Sequence, residues 1–252
     1  MNFLFKPIFF NLIKKKEVKI FLAFSTFPLL LIIVDMFNTN FMQLSAPNGA
    51  LSFFEFFGAV EFTQYQMLIP TIAFLYIISL VFNEEIHNGI MFLYKDLNRR
   101  TILNAKLLSL ILIYFIYVFL TFIFSFITYF THLIYKNYTS GHFFPNNSID
   151  IQYNIILIIG IILTFILCIL LTCMLSIKFS NGITMLIGVL WTLTSFITPN
   201  LKTLRYFMPN GYINVYTKLG FNNSIIIMFT IFILYSLIIY GMEDKMYENV
   251  EY

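Results

Sequence analysis

Charge is what this chain has least of. Asp, Glu, Lys and Arg make up 11% of its 252 residues, against about 25% in an ordinary soluble domain. That is too little to coat a water-facing surface, so lipid must form part of the solvent. Cysteine is nearly absent. Cys168 and Cys173 are the only two, and their spacing fits neither a redox pair nor a zinc site, so they read as small apolar packing residues. The motifs Gly-x-x-x-x-Gly-Lys-Ser/Thr, His-Glu-x-x-His and Gly-x-Ser-x-Gly are missing. The first absence removes ATP binding by a phosphate-cradling loop in this chain. The other two remove zinc-protease and nucleophile-elbow chemistry. With a formal net charge of +3 and no basic face, nothing points to nucleic acid. The chain reads as no enzyme by itself and as holding no metal or cofactor.

What is abundant is apolar sequence, 60% of the chain. A membrane span needs about 20 apolar residues, and six stretches qualify, at about 18–38, 61–83, 107–135, 153–177, 182–199 and 224–242. None alternates with period two, which excludes a β-barrel and leaves helices, the other way to satisfy a backbone in lipid. The third run is long enough to tilt or to project beyond the bilayer. Residues 1–17 read as an interfacial helix, with Ile8, Phe9, Leu12 and Ile13 on one side and Lys6, Lys14 and Lys15 on another. The alternative is a disordered leader carrying a charge cluster. No small-residue cleavage site follows the first run, so a cleavable signal is not expected. The expected fold is an all-α integral membrane protein of six transmembrane helices across 18–242, with a short acidic tail at 243–252.

Lysine and arginine orient the chain. Lys6, Lys14, Lys15, Lys16, Lys19, Lys95, Arg99, Arg100, Lys106, Lys178 and Lys245 fall on one side, while Lys136, Lys202, Arg205 and Lys218 fall on the other. The bias predicts both termini in the cytoplasm. On the outer side, 39–60 is rich in Phe, and 199–223 mixes Pro199, Pro209, Gly211 and Gly220 with apolar residues. The second of these reads as broken helices or a re-entrant element between spans five and six.

The inner loop between spans two and three holds the densest charge. Ile86, Ile90, Leu93 and Leu97 follow the spacing of one helical stripe, flanked by Glu84, Glu85, Lys95, Asp96, Arg99 and Arg100. Gly89 weakens it as an autonomous helix. Asn98 can cap a second helix that begins near Arg99. A short helix of this kind can lay its apolar side in a groove on a soluble partner, with charges choosing the register. The plain alternative is a positive-inside loop with no partner.

In this loop the sequence resembles the ABC-2 type permeases, the membrane subunits of bacterial ABC exporters. Glu85, Gly89, Leu93, Arg99 or Arg100, and Lys106 follow the order of that family's acidic residue, Gly-Thr, leucine, arginine and lysine. Ile90 stands where Thr is usual, and the Pro is missing near Leu97-Asn98. The resemblance otherwise covers the chain and looks like the peptide-handling branch of low-GC Gram-positive bacteria, which exports phenol-soluble modulins or confers immunity to lantibiotics. It implies a permease in the bacterial plasma membrane, paired with a second copy or a sister permease. It also implies a separate cytoplasmic ABC ATPase that binds ATP and Mg and grips the coupling helix. The substrate implied is an amphipathic or antimicrobial-type peptide.

Three rivals stand beside this reading. An ion-coupled secondary transporter usually needs ionisable groups or broken helices at mid-membrane. Here Asp35, Glu61 and His132 sit near the outer ends of spans and read as interface residues. A membrane anchor or docking protein would explain the loop but not the aromatic outer segments. An intramembrane protease of the CAAX type would use Glu84-Glu85, but Gly89 occupies its Arg position and no second His motif follows. Most of the 32 Phe read as lipid-facing or packing residues.

Overall fold

The computed structural model describes residues 2–37, 46–87 and 97–249. Among them every long element is helical, and Leu51 and Thr139 form the one isolated β-bridge. Five helices are long and apolar enough to cross a membrane, and a bent pair supplies a sixth. The protein is therefore an all-α, multi-pass membrane architecture.

Helix α1 (Asn2–Lys14) stops at Lys15, whose extended backbone turns the chain into α2 (Lys16–Ala23). Pro28 has no N–H to donate, and the chain tightens into 3-10 turns over Phe24–Leu29 before α3 (Leu30–Met36). Segments α2 to α3 form the first apolar rod, Lys16–Met36. Next come α4 (Phe53–Gln66), α5 (Leu68–His87), α6 (Arg99–Thr131), α7 (Ser148–Lys178), α8 (Asn181–Ile197), a short α9 (Tyr216–Leu219) and α10 (Phe221–Glu248). Helix α6 is 33 residues long, about 50 Å at 1.5 Å per residue. It exceeds a hydrocarbon core of about 30 Å and must project or tilt. Asn98 caps it by accepting from the Arg100 N–H at 3.0 Å.

Hydrogen bonds fix which ends lie together. The end at which α5 finishes and α6 begins, here the lower end, also holds the α7–α8 turn and the end of α10. There Asn83 donates to the Phe179 carbonyl at 2.6 Å and Ser79 to Asn181 Oδ1 at 2.6 Å. At the upper end, Asp35 Oδ2 receives His132 Nε2 at 2.7 Å and also Lys136. Asp35 raises the Lys136 amine above its usual range through that hydrogen bond. The group is exposed, so the clasp fixes α3 beside α6 more than it stabilises the fold.

The sequence predicts one continuous span at 61–83. The structure instead breaks it at Met67, and the two parts meet at 64°. Pro70 is the reason. It lacks the N–H that would bond the Gln66 carbonyl, and its ring crowds that carbonyl. Upstream, α4 starts at a reciprocal cap. Ser52 N–H donates to Glu55 Oε2 at 2.8 Å, and Glu55 N–H donates to Ser52 Oγ at 3.4 Å. The Phe-rich end of the outer segment, from Phe53 on, is thus helical. It buries Phe53, Phe56, Phe57 and Val60 against Tyr129 and Leu133.

Between lipid-soaked helices, packing and hydrogen bonds rather than apolar burial hold the elements together. Of the five unbroken spans, α7 is the most buried and α10 the least. Phe21 on α2 stacks on Tyr117 of α6 at 4.5 Å, and Tyr114 stacks on Phe165 of α7 at 4.4 Å. On α10, Ile226, Ile233, Leu234, Leu237 and Ile238 are exposed, as befits a rod with lipid on one side. Glu243 and Asp244, expected in a free acidic tail, are instead buried in the last turns of α10.

Candidate functional site

Two polar assemblies interrupt this apolar interior. The lower one gathers the described part of the charged loop. Arg99 Nη1 donates to the Glu248 carbonyl at 2.5 Å and to that of Tyr247 at 3.5 Å. Arg100 Nη2 pairs with Asp244 Oδ2 at 2.8 Å. One turn further along α6, Tyr240 donates to Asn104 Oδ1 at 2.7 Å. Lys106, expected at the loop margin, is buried. Its Nζ donates to the Val81 carbonyl at 3.2 Å and lies over the rings of Phe82 and Tyr247. The start of α6 is therefore stitched to the end of α10 and to α5.

Of the other expected coupling residues, Leu97 is exposed, and Glu84, Glu85 and Ile86 belong to the last turn of α5. Gly89, Ile90, Leu93 and Lys95 lie outside the described residues. Arg99, Arg100 and Lys106 are brought together at the lower end, and each also bonds within the chain.

The upper assembly surrounds the α4–α5 break. Residues Glu61, Gln64 and Tyr65 lie at i, i+3 and i+4, so one helical side of α4 carries them inward. Gln64 Nε2 donates to the Phe24 carbonyl at 3.1 Å, while its Oε1 accepts from Tyr117 at 2.8 Å and from Thr121 at 3.2 Å. Tyr65 sits in a relay that has one self-consistent direction. Ser195 donates to the Thr192 carbonyl at 2.8 Å, so the 2.6 Å contact between Tyr65 and Ser195 has Tyr65 as donor. Asn210 Nδ2 then donates to Tyr65 at 3.3 Å and to the Ser195 carbonyl at 2.7 Å. Both amide hydrogens of Asn210 are used, and its Oδ1 stays buried without a partner.

Asn210 reaches this position because the segment after α8 folds back. Pro199 helps to end α8 in a 3-10 turn, Thr198–Asn200, and the chain continues through 3-10 turns at Leu204–Phe207 and Pro209–Asn214. The Asn210 N–H is held by Thr164 of α7 at 3.3 Å. Gly160 permits the approach, since a β-carbon there would stand 2.9 Å from the Asn210 Cα.

Above the relay lies a cavity of about 210 Å³, with walls that include Phe62, Tyr65, Tyr153, Phe196, Asn200 and Asn214. Drug-sized sites begin at about 300 Å³, so this one accepts a side chain or two. A second cavity, of about 20 Å³, lies beside Glu61, and Tyr65 and Ile161 line both. Replacing Tyr65 with Phe removes one hydrogen bond to Ser195 and one from Asn210. The expected loss is about 1–2 kcal/mol of stability, read from thermal unfolding in detergent. An unchanged midpoint would show that the relay is not holding the break.

The upper assembly is absent from the site expected by sequence. A signal for it was present: polar Glu61, Gln64 and Tyr65 share one helical side in an apolar run. Asn210 offered no comparable signal, because its partners are 15 to 145 residues away. Among the described residues no group of His, Cys, Asp and Glu could hold a metal. No family model, curated protein or solved structure matches the chain.

Proposed function

We propose that this chain is the membrane permease of an ATP-binding-cassette exporter, moving amphipathic or antimicrobial-type peptides out of the cell. In this reading a separate cytoplasmic ATPase binds ATP and Mg, and it grips the segment between α5 and α6. A second copy or a sister permease completes the path. The lower end of the bundle is the cytoplasmic side of a bacterial plasma membrane, with both termini there.

The observation that carries the reading is the stitching at both banks of that segment. On one bank, α5 is tied through Asn83 and Ser79 to the α7–α8 turn. On the other, α6 is tied through Arg99 and Arg100 to α10. A push on the segment is passed to most of the bundle, as an external motor requires. The upper cavity supports the substrate class more weakly. Its aromatic walls suit apolar side chains, and its Asn amides suit a peptide backbone. At about 210 Å³ it cannot hold a helix about 10 Å across, so export requires it to widen.

The test is a vesicle assay with the chain, the partner ATPase and a labelled amphipathic helical peptide. ATP-dependent movement of the peptide is expected. None for any such peptide would eliminate this substrate class. Leu93→Asp should abolish co-purification with the ATPase while leaving membrane insertion intact. Full binding by that variant would remove the segment from the mechanism.

A further inference from the structure

Helices α8 and α10 each pack against α7 but scarcely touch each other. The slot between them is a groove of about 320 Å³. Its walls are Leu171 of α7, Trp191 of α8, Tyr235, Ile238 and Ile239 of α10, and Met208 from the folded-back segment. Neither flanking rod is well buried. Leu190 and Leu234, next in sequence to Trp191 and Tyr235, are exposed. The groove therefore opens onto hydrocarbon. An apolar void stays dry, so an acyl chain is what fills it from that side.

A cation without a counter-ion stands close by. Residues 199–223 carry Lys202, Arg205 and Lys218 but no Asp or Glu. Arg205 lies just past the upper end of α8, in the 3-10 turn Leu204–Phe207 that leads into Met208. Its guanidinium carbon is 5.3 Å from the centre of the Tyr206 ring. The Tyr206 carbonyl accepts from Tyr212 at 3.0 Å, and the two rings meet edge-on. Tyr212 in turn is within electrostatic reach of Tyr235 in the groove wall. Arg205 and the groove are thus joined through one run of aromatic residues.

The guanidinium itself is unsatisfied. Among the described residues no hydrogen bond or ion pair reaches it, and its Nε is buried without an acceptor. A partly buried arginine with five unused N–H groups calls for an anion. Leu204, Tyr206 and Phe207 around it are exposed, the apolar and aromatic setting of a membrane interface.

We infer that this site holds one anionic phospholipid of the upper leaflet, with its phosphate on Arg205 and one acyl chain in the groove between α8 and α10. Arginine meets a phosphate with two parallel N–H bonds. Lys202 stands three residues away, and the segment has no acid to receive the positive end of a zwitterionic headgroup. The site therefore selects a net negative charge.

The test uses the full chain in detergent with no ATPase present, so its outcome is independent of the exporter reading. Native mass spectrometry counts the lipids retained from equal amounts of phosphatidylglycerol and phosphatidylcholine of the same chain length. One phosphatidylglycerol per chain, favoured by about fivefold or more, is expected. Arg205→Gln should bring the two lipids close to parity. Lys218→Gln removes a charge from the same segment and should leave the preference in place. Leu171→Phe narrows the groove and should lower retention of both lipids. Equal retention of the two lipids by the unsubstituted chain overturns the proposal, and so does a preference that survives Arg205→Gln. An equal drop in Lys218→Gln, or full retention in Leu171→Phe, overturns it as well. So does an amphipathic helical peptide that is retained where phosphatidylglycerol is not. Should Arg205→Gln fail to fold, Arg205→Lys keeps the charge but loses the fork, and an unaltered preference in that variant overturns the proposal.

Discussion

Under the exporter function proposed above, replacing Arg100 with Asp is expected to cut peptide transport by about three- to thirtyfold, and adding Asp244→Arg is expected to restore most of it. In the folded chain Arg100 Nη2 lies 2.8 Å from Asp244 Oδ2. The other carboxylate oxygen of Asp244 is buried with no hydrogen-bond partner, so that residue relies heavily on Arg100. Reversing one charge sets two anions face to face, and the end of α10 is released from the start of α6. The exposed Arg100 contributes little to overall stability, so folding survives and coupling suffers. The sequence also puts Arg100 in the loop expected to meet the ATPase, and reversal alone would mix the two effects. The exchanged pair separates them. It rebuilds the intramolecular clasp with inverted polarity but presents the wrong charge to a partner. If transport stays low while the ATPase no longer co-purifies, Arg100 acts on the partner and the clasp is incidental.

Among the glycines of the described residues, Gly211→Ala is expected to be the most damaging, costing about 3 kcal/mol or more. A β-carbon at Gly211 would stand 2.0 Å from the Arg205 carbonyl oxygen and 2.8 Å from its Cα. Backbone atoms cannot rotate away as a side chain can, so the 3-10 turn Pro209–Asn214 must move as a unit. Its neighbour Asn210 anchors the relay through Tyr65, Ser195 and Thr164, so the damage reaches the α4–α5 break. For a chain of this size about 2–4 °C is lost per kcal/mol, and the unfolding midpoint in detergent should fall by roughly 6–12 °C. Gly241→Ala is the control. Nothing lies within 4 Å of its β-carbon position, and it sits inside α10, where Ala is favoured by up to about 1 kcal/mol. Equal midpoints for the two variants would show that the cap at Leu204–Asn214 is not rigidly packed.

Composition and run length were enough to read an all-α, lipid-embedded architecture, because a backbone in hydrocarbon has few ways to satisfy its hydrogen bonds. The six apolar runs map onto the rods Lys16–Met36, the bent pair, Arg99–Tyr135, Ser148–Lys178, Asn181–Asn200 and Phe221–Glu248. Local chemistry was legible as well. The Asn98 cap depends only on neighbouring residues, and so does the break at Pro70, although reading 61–83 as one span passed over it. The Ser52–Glu55 capping box was equally readable, although the apolar run at 61–83 drew the span boundary past the helix start at Phe53.

Tertiary structure alone decided which polar residues meet. Glu61 reads in sequence as an interface residue near a span end, yet it is sealed between α4 and neighbouring rods. Asn210, Tyr65 and Ser195 converge from three separate elements, and Arg100 finds Asp244 from the far end of the chain. Apolar periodicity determines that a helix enters the membrane, because transfer to lipid is a property of each segment. It does not determine which neighbour each helix touches, because in lipid every apolar side is already satisfied. Pairing there depends on close approach at residues such as Gly160 and on matched hydrogen bonds, and both exist only once the rods are side by side.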